Sequence, residues 1–307
     1  HELWRWTFPV NKLNQQTEQL SPLSSRPAYT ETENELTVKA NKRTFIFSKK
    51  DGQLKGVSVD NRKINFANGP RFIGARRADR SLDQFYNHDD EKAKEKDRTY
   101  SEFPDAAVFT KLDVKEDGGN LVVTANYKLG NLDKAQWTIN PSGELALDYT
   151  YNFSGVVDLM GIRFDYPEDQ VISKRWLGAG PYRVWQNRIH GTQYDVWEND
   201  YNDPIPGETF TYPEFKGYFG NVSWMNIQTK EGTISLTNET PDAYIGVYQP
   251  RDGRDRLLYT LPESGISVLN VIPPVRNKVN STDLCGPSSQ PKWVNGPQTG
   301  RVIFRFM

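Results

Sequence analysis

Short segments in which apolar and polar residues alternate follow one another through most of the chain, and this two-residue period constrains the fold most. The segment "LVVTANYKL" places five side chains on one face: Leu121, Val123, Ala125, Tyr127 and Leu129. After an Asn-Pro-Ser-Gly turn, "ELALDYTYNF" aligns five more: Leu145, Leu147, Tyr149, Tyr151 and Phe153. Successive side chains of a strand point to opposite faces, so this pattern predicts antiparallel strands, each with one buried face.

The same pattern recurs before and after these segments. In "RTFIFSKKDGQLKGVSV", Phe45 and Phe47 share a face and "KKDG" marks a turn, which predicts a hairpin. Later segments such as "TISLT", "AYIGVY", "ISVLNVI" and "RVIFRFM" are short, rich in β-branched or aromatic residues and bounded by turn formers. So many strands joined by short turns require two packed sheets or a closed barrel. We predict an all-β fold, a large antiparallel β-sandwich.

Two regions depart from this pattern. Residues 1–35 begin with "HELWRWTFPV", which reads as one strand, and continue as a polar stretch broken by prolines. We expect a terminal strand and linker of a preceding domain there, and a β-sandwich domain over 36–307. The opening has neither an initiator methionine nor the features of a signal peptide, which predicts a mature form or an excised piece. Residues 81–98 are densely charged and predict an exposed insertion with a short helix.

Composition argues against several classes of partner. The 307 residues carry 38 basic and 39 acidic side chains, so no long-range positive field gathers phosphates, and nucleic acid is not an expected partner. No apolar run approaches the roughly 20 residues that span a bilayer, and no membrane partner is expected. Cys285 is the only cysteine, which excludes an intrachain disulfide.

The sequence carries few signatures of catalysis. The three histidines, His1, His88 and His190, share no metal-ligand spacing, and neither a phosphate-binding loop nor a G-x-S-x-G elbow occurs. The acidic segment "YDVWENDYNDPIPGE" offers five carboxylates: Asp195, Glu198, Asp200, Asp203 and Glu208. They could bind calcium, form a glycosidase acid pair or pair with nearby arginines, and their spacing does not decide between these roles. Calcium apart, no cofactor or metal is expected.

Aromatic residues are concentrated in one part of the chain. Twelve rings lie between Trp176 and Trp224, of which these two tryptophans are expected in the core. Within this part, "GPYRVWQNR" alternates rings with arginine and asparagine directly after Gly178, Gly180 and Pro181, which we expect to form a turn because glycine permits unusual backbone angles. Rings that stack on sugar C–H faces, beside fixed donors, suit carbohydrate binding.

At this stretch the sequence resembles the C-terminal domain of glycoside hydrolase family 2 β-galactosidases, the galactose mutarotase-like supersandwich. "FSKKDGQLKGVSVDNRKI" is similar to that domain's opening hairpin, and "NGPRFIGARRADR" to its Pro-Arg segment. "RWLGAGPYRVWQNR" resembles the W-x-G-x-G-P-x-E-x-Y-x-D-R landmark, and "YPEFKGY" the P-x-E-x-G motif. The order and spacing agree over residues 36–307.

The resemblance implies an accessory role. In such enzymes an immunoglobulin-like domain precedes the supersandwich, and the catalytic glutamates lie on a TIM barrel that these residues do not contain, so no catalytic residue is assigned. The missing N-terminal domains of the same polypeptide and a carbohydrate are the implied partners. The implied carbohydrate-binding residues are Arg183, Trp185, Asn187, Arg188, Trp197, Glu198, Glu214 and Trp293.

This sequence keeps the family's Arg188 but departs from the landmark at three positions. Arg183 stands in place of glutamate, Trp185 in place of tyrosine and Asn187 in place of aspartate. The family's tail motif is replaced by "NSTDLCGPSSQPKW", in which Trp293 is the counterpart of a tryptophan that reaches the active site. These departures point to a divergent branch that acts on plant or algal polysaccharide. Such a bacterial enzyme would act in the periplasm or outside the cell, although the sequence itself does not define a compartment.

Two alternatives remain open at this point. A mutarotase-type epimerase or a polysaccharide lyase shares this architecture, and an epimerase needs an acid and a base, for which His190 is a better candidate than His88. Alternatively, the corner is purely structural, and Arg183 and Arg188 are buried partners of Glu198 and Glu214.

Overall fold

A computed structural model describes residues 25–77, 100–200, 217–247, 261–274 and 287–307, which form two large sheets. Strands are numbered in chain order. The ten-stranded sheet contains β1 (Ala28–Glu31), β2 (Glu35–Ala40), β3 (Arg43–Ser48), β4 (Leu54–Val59), β5 (Arg62–Ile64), β6 (Ala67–Arg77), β7 (Tyr100–Glu102), β12 (Leu159–Asp165), β17 (Tyr244–Gly246) and β18 (Ile266–Val271). The nine-stranded sheet contains β8 (Val108–Asp117), β9 (Asn120–Lys128), β10 (Leu132–Ile139), β11 (Leu145–Val157), β13 (Val171–Gly180), β14 (Gln193–Asp200), β15 (Trp224–Thr229), β16 (Gly232–Asn238) and β19 (Lys292–Phe306).

Both sheets are antiparallel, and the predicted all-β sandwich is confirmed. The ten-stranded sheet follows the order β1-β2-β3-β4-β6-β12-β18-β17, with β5 beside β4 and β7 beside β6. The nine-stranded sheet follows the order β14-β13-β15-β16-β19-β11-β10-β9-β8. The strand Ala28–Glu31 precedes residue 35 and pairs with β2, with Ala28 opposite Lys39. The described residues also include two short 3-10 helices, Glu168–Gln170 and Pro287–Ser289, and no helix among these residues could span a membrane.

The alternation read from the sequence places side chains correctly along the strands. Phe45 and Phe47 on β3 are fully buried. All five aligned residues of β11 are buried as predicted: Leu145, Leu147, Tyr149, Tyr151 and Phe153. The prediction is wrong at Leu129, which is 73% exposed because β9 ends at Lys128 and Leu129 adopts a positive φ of 59°. The charged segment 81–98 lies outside the described residues.

The main core lies between the two sheets and is built from aromatic contacts. Phe66 stacks on Phe164 with ring centroids 4.7 Å apart, and Phe304 packs against both, at 5.0 and 5.4 Å. Trp137 meets Phe164 edge-on from the nine-stranded sheet. Burying one such side chain contributes about 1.5–3 kcal/mol, so this cluster holds the sheets face to face.

A second buried cluster covers the outward face of the ten-stranded sheet. On β6, Phe72 faces the main core while the adjacent Ile73 belongs to the second cluster. On β18, Val268 likewise belongs to the main core and the adjacent Leu269 to the second cluster. Adjacent residues of a strand point to opposite faces, so this part of the sheet is buried on both sides. Residues from outside the sheet, including Trp185, complete the cluster.

Gly52 closes the predicted turn between β3 and β4 with a φ of +72°. A methyl group at this position would lie 2.6 Å from the Phe109 ring and 2.8 Å from Ala125 Cβ. We therefore expect Gly52→Ala to lower the free energy of unfolding by about 2–4 kcal/mol, since backbone strain adds to overpacking. Urea denaturation of the purified chain measures this difference.

The matched control is Gly118→Ala in the turn between β8 and β9. Gly118 has a similar positive φ of 57°, and a methyl group there would meet no atom within 4 Å. This variant should lose only about 1 kcal/mol, from the backbone alone. Equal losses in the two variants would show that the contact with Phe109 does not constrain the turn.

Candidate functional site

The corner predicted from the sequence begins where β13 ends at Gly180, and Gly180–Pro181 is a cis peptide bond. The expectation that Gly178 and Gly180 supply turn angles is wrong, because both lie within β13 and neither has a positive φ. They serve close packing instead. A methyl group at Gly178 would lie 3.0 Å from the Asn221 carbonyl oxygen, and one at Gly180 would lie 2.4 Å from the ring of Trp197.

The chain then crosses from the nine-stranded sheet to the second cluster. Val184 and Tyr218 exchange two backbone hydrogen bonds, each of 2.7 Å. A methyl group at Gly217 would lie 1.9 Å from the Val184 carbonyl oxygen, so only glycine allows this approach. Trp185 and Arg188 pair across a two-residue turn, in which the Arg188 amide donates to the Trp185 carbonyl at 2.8 Å. We call residues 183–188 the corner loop.

Two predicted site residues of the corner loop are buried. Trp185 has no exposed surface and meets Tyr218 edge-on, with ring centroids 5.8 Å apart. Arg183 is 1% exposed. In the described structure, Trp185 therefore anchors the corner loop to the second cluster and offers no open ring face.

Asn187 and Arg188 are more accessible. Asn187 is half-buried and Arg188 is exposed. The alternative in which Arg188 is a buried ion-pair partner is therefore wrong. Gln186, between Trp185 and Asn187, fixes the loop with two hydrogen bonds. Its backbone amide donates to the Pro273 carbonyl at 3.1 Å, and its side-chain Nε2 donates to the Gln290 carbonyl at 2.9 Å. The loop thus presents two polar side chains from a rigid base.

The predicted residues on β14 face opposite directions. Trp197 is half-buried, covers Gly180 and donates from Nε1 to the Gln193 carbonyl at 3.2 Å. Glu198 is exposed on the other face, where its Oε2 lies 4.0 Å from Arg175 Nε. Arg175 precedes Gly180 by five residues, about 16 Å along an extended strand, so Glu198 is not brought to the corner loop.

The last two predicted residues have different outcomes. Trp293 is 72% exposed on β19, opposite Val156. It follows Gln290, the partner of Gln186, by three residues, so the chain leading to Trp293 contacts the corner loop. Glu214 lies outside the described residues.

The core prediction is confirmed for Trp176, which is fully buried and donates from Nε1 to the Ala179 carbonyl, whereas Trp224 is half-buried.

Buried polar residues that the sequence did not predict adjoin residues of the second cluster along the chain. Asp158, between β11 and β12, has no exposed surface and accepts a 2.9 Å hydrogen bond from the amide of Arg77 through Oδ2. Tyr100 lies opposite Arg77 on β7. Burial, and then the neighbouring Tyr100, raise the pKa of Tyr218 far above its ordinary value, so the Tyr218 hydroxyl remains neutral.

A signal for this buried layer exists in the sequence. The run "PRFIGA" on β6 and the run "ISVLNV" on β18 contain few polar residues, unlike "LDVKED" on β8. Strands buried on both faces read as nearly continuous apolar runs. The weak alternation on β6 and β18 could therefore have predicted a cover over the ten-stranded sheet.

No group of three or more His, Cys, Asp or Glu side chains that could hold a metal ion occurs within the ranges described above. Asp203 and Glu208 of the acidic segment lie outside them. A calcium site in this segment stays a prediction.

Comparisons with known proteins agree with this architecture. The family model described as beta galactosidase small chain matches residues 39–274. Galactose 1-epimerase from Lactobacillus acidophilus NCFM has a similar structure, with a TM-score of 0.50, 9% identity and coverage of 92% of this chain and 99% of that chain. A GalM/aldose epimerase homologue from C. elegans has a TM-score of 0.42 and 8% identity, with coverage of 92% of this chain and 99% of that chain. No curated protein matches in sequence. The fold is the galactose mutarotase-like sandwich that the sequence predicts.

Proposed function

Because the chain belongs to the beta galactosidase small chain family, we propose that it is the accessory sandwich of a β-galactosidase-like enzyme of glycoside hydrolase family 2. In this proposal the catalytic glutamates lie on another domain or a companion chain. The present chain supplies part of the rim of the sugar site. We refer to the complete assembly, with its catalytic domain, as the assembled enzyme.

The observation that carries the proposal is the way the corner loop presents its side chains. Trp185 is buried against Tyr218, and Gln186 is hydrogen-bonded to two other segments. Asn187 and Arg188 follow directly and remain accessible. A rigid base of this kind lowers the entropy lost when a donor such as a guanidinium meets a sugar hydroxyl. Asn187 and Arg188 are therefore the residues we assign to sugar contacts.

Trp293 is the second element of the proposed rim. The β11–β19 pair extends to Val157 and Lys292, whereas β10 pairs with β11 only up to Tyr151. Trp293 lies near the end of this two-stranded extension with most of its surface exposed. An exposed indole of this size favours either a sugar face or the surface of a partner domain. We assign it to the contact with the catalytic domain at the edge of the sugar site.

An epimerase acting without a partner is the alternative function, favoured by the similarity of the fold to a galactose 1-epimerase. Fold similarity alone does not assign an activity. Epimerisation needs an acid and a base close to the anomeric carbon. Within the described residues His190 is exposed, and its carbonyl accepts a hydrogen bond from the Tyr182 hydroxyl at 3.2 Å. This position in an open turn supports the accessory role over the epimerase.

The isolated chain is expected to be catalytically silent. It should neither hydrolyse an aryl β-galactoside nor accelerate the change in optical rotation of α-galactose. Binding of free galactose should be weak, with a dissociation constant on the order of 1 mM, because a few rim contacts scarcely exceed the cost of association. Colorimetry, polarimetry and calorimetry measure the three quantities. Mutarotation that is lost in His190→Ala would establish the epimerase instead.

A further inference from the structure

A cleft of about 380 Å³ lies on the outward face of the nine-stranded sheet, away from the second cluster. It is bounded by β10, β11, β19 and the loop that follows β16. The polar side chains that line it are Lys134, Asp148, Thr150, Glu239, Thr299 and Arg301. None of them belongs to the proposed rim, so the cleft is separate from the proposed sugar site.

Charged groups in the cleft are held in fixed positions. Arg301 Nη1 lies 2.5 Å from Asp148 Oδ2, and Arg301 Nε lies 3.0 Å from Glu239 Oε2. Burial opposes the charge of Arg301, but its hydrogen bond to Asp148 and the two carboxylates raise its pKa. The three side chains are each between 34% and 39% exposed, which leaves oxygen and nitrogen atoms open to a ligand.

The backbone around these groups is also tied down. The Thr240 hydroxyl accepts from the Arg301 amide at 3.0 Å and donates to the Arg301 carbonyl at 3.1 Å. Asn238 Oδ1 accepts from the Thr240 amide at 3.1 Å. Below the cleft, burial raises the pKa of Tyr149 to about 12, so its hydroxyl stays neutral. The cleft is therefore formed before a ligand arrives.

The composition of the cleft selects a class of ligand. Lys134 and Arg301 carry two positive charges, and Asp148 and Glu239 carry two negative charges, so the formal net charge is zero. A phosphate or sulfate would meet two carboxylates at close range, which is unfavourable. A neutral ligand rich in hydroxyl groups can both donate to the carboxylates and accept from Arg301, Lys134, Thr150 and Thr299. Sugars have this chemistry.

We propose that this cleft is a second carbohydrate site, which binds a short stretch of a neutral oligosaccharide. It would hold a polysaccharide on the sandwich through contacts that involve neither Asn187 nor Arg188. The proposal stands on the cleft alone and does not require the rim.

The test is a titration of the isotope-labelled chain with a β-1,4-linked galacto-oligosaccharide, followed by amide chemical shifts. We expect shifts at Thr150, Thr299 and Gly300 with a dissociation constant on the order of 1 mM. Thr150→Trp should weaken this binding at least about tenfold, because an indole would fill the cleft between Lys134 and Thr299, the residues opposite Thr150. Thr299→Trp, at an exposed position, gives the same test should the first variant fold poorly.

The matched control is Thr124→Trp on β9, two strands from β11 and opposite Gln136. This residue does not line the cleft, so binding should be unchanged. The proposal is overturned by cleft amides that do not shift, by shifts that persist in both cleft variants, or by tighter binding of inorganic phosphate at the same amides. Shifts at the Arg188 amide report the rim separately, so the two proposals can fail independently.

Discussion

Replacing Trp185 by alanine is expected to lower the free energy of unfolding by about 3–5 kcal/mol, the largest loss of stability that we predict. The indole has no exposed surface and packs edge-on against Tyr218, so its removal leaves a cavity over the ten-stranded sheet. The loss should be accompanied by loosening of the corner loop, since Gln186 and Arg188 follow the anchor directly. Chemical denaturation and amide hydrogen exchange measure the two effects.

The control for this variant is Trp293→Ala, the same substitution at a ring that is 72% exposed. Its effect on stability should stay within about 0.5 kcal/mol, as expected for a surface side chain. If the free energy of unfolding of Trp185→Ala lies within about 1 kcal/mol of that of the parent chain, the second cluster does not hold the corner loop.

The second large effect concerns activity. In the assembled enzyme, Arg188→Ala should lower kcat/KM for an aryl β-galactoside about 10–100-fold while leaving the melting temperature unchanged. The estimate follows from the roughly 1.5–3 kcal/mol of a hydrogen bond to a charged group, where 1.4 kcal/mol is a factor of ten. Asn187→Ala should lose less, because its amide is neutral. Steady-state kinetics with purified variants provides the measurement.

Lys111→Ala serves as the control for the kinetic series. Lys111 is 63% exposed on β8, at the far edge of the nine-stranded sheet from β14, and pairs with Asp113. Its removal changes the net charge as Arg188→Ala does, so kcat/KM should not change. If kcat/KM is the same for Arg188→Ala and Lys111→Ala, the corner loop is not part of the sugar site.

Most of the sandwich could be predicted because each strand carries its own signal. The alternation on β11 and the Asn140–Gly143 turn predicted burial and connection from neighbouring residues only. Leu129 shows the limit of this approach, because the last apolar residue of the pattern lies just after the strand end, where the backbone turns. The extent of a strand depends on its partner, and periodicity does not identify that partner.

The corner loop was harder to predict because its burial depends on another layer. "PYRVWQNR" alternates polar and aromatic residues as an exposed sugar-binding edge would, yet Arg183 and Trp185 lie inside. Their cover consists of Tyr218 and residues of β6, β12 and β18, which are distant in the sequence. Local pattern cannot separate a ring that faces a ligand from a ring that faces a third layer. The sequence therefore predicted a corner at this loop but not the direction of its side chains.

The same limit explains why the contact between Asp158 and Arg77 was not predicted. Asp158 stands alone in its local sequence, and Arg77 lies in the Pro-Arg segment "NGPRFIGARRADR", which does not identify a partner for it. The antiparallel pairing of β6 with β12 brings them together, with Leu159 opposite Ala75, so that the Arg77 amide reaches the carboxylate of Asp158. Buried polar pairs of this kind depend on strand register, which a single sequence does not specify over such distances.

The most direct test of the central claim is a structure of the assembled enzyme with a non-hydrolysable galactoside in its catalytic site. We predict that the Arg188 guanidinium or the Asn187 amide lies within about 3.2 Å of a sugar oxygen, with Trp185 still buried against Tyr218. A sugar bound without any contact from residues 183–188, with Asn187 and Arg188 facing solvent, would contradict the proposal.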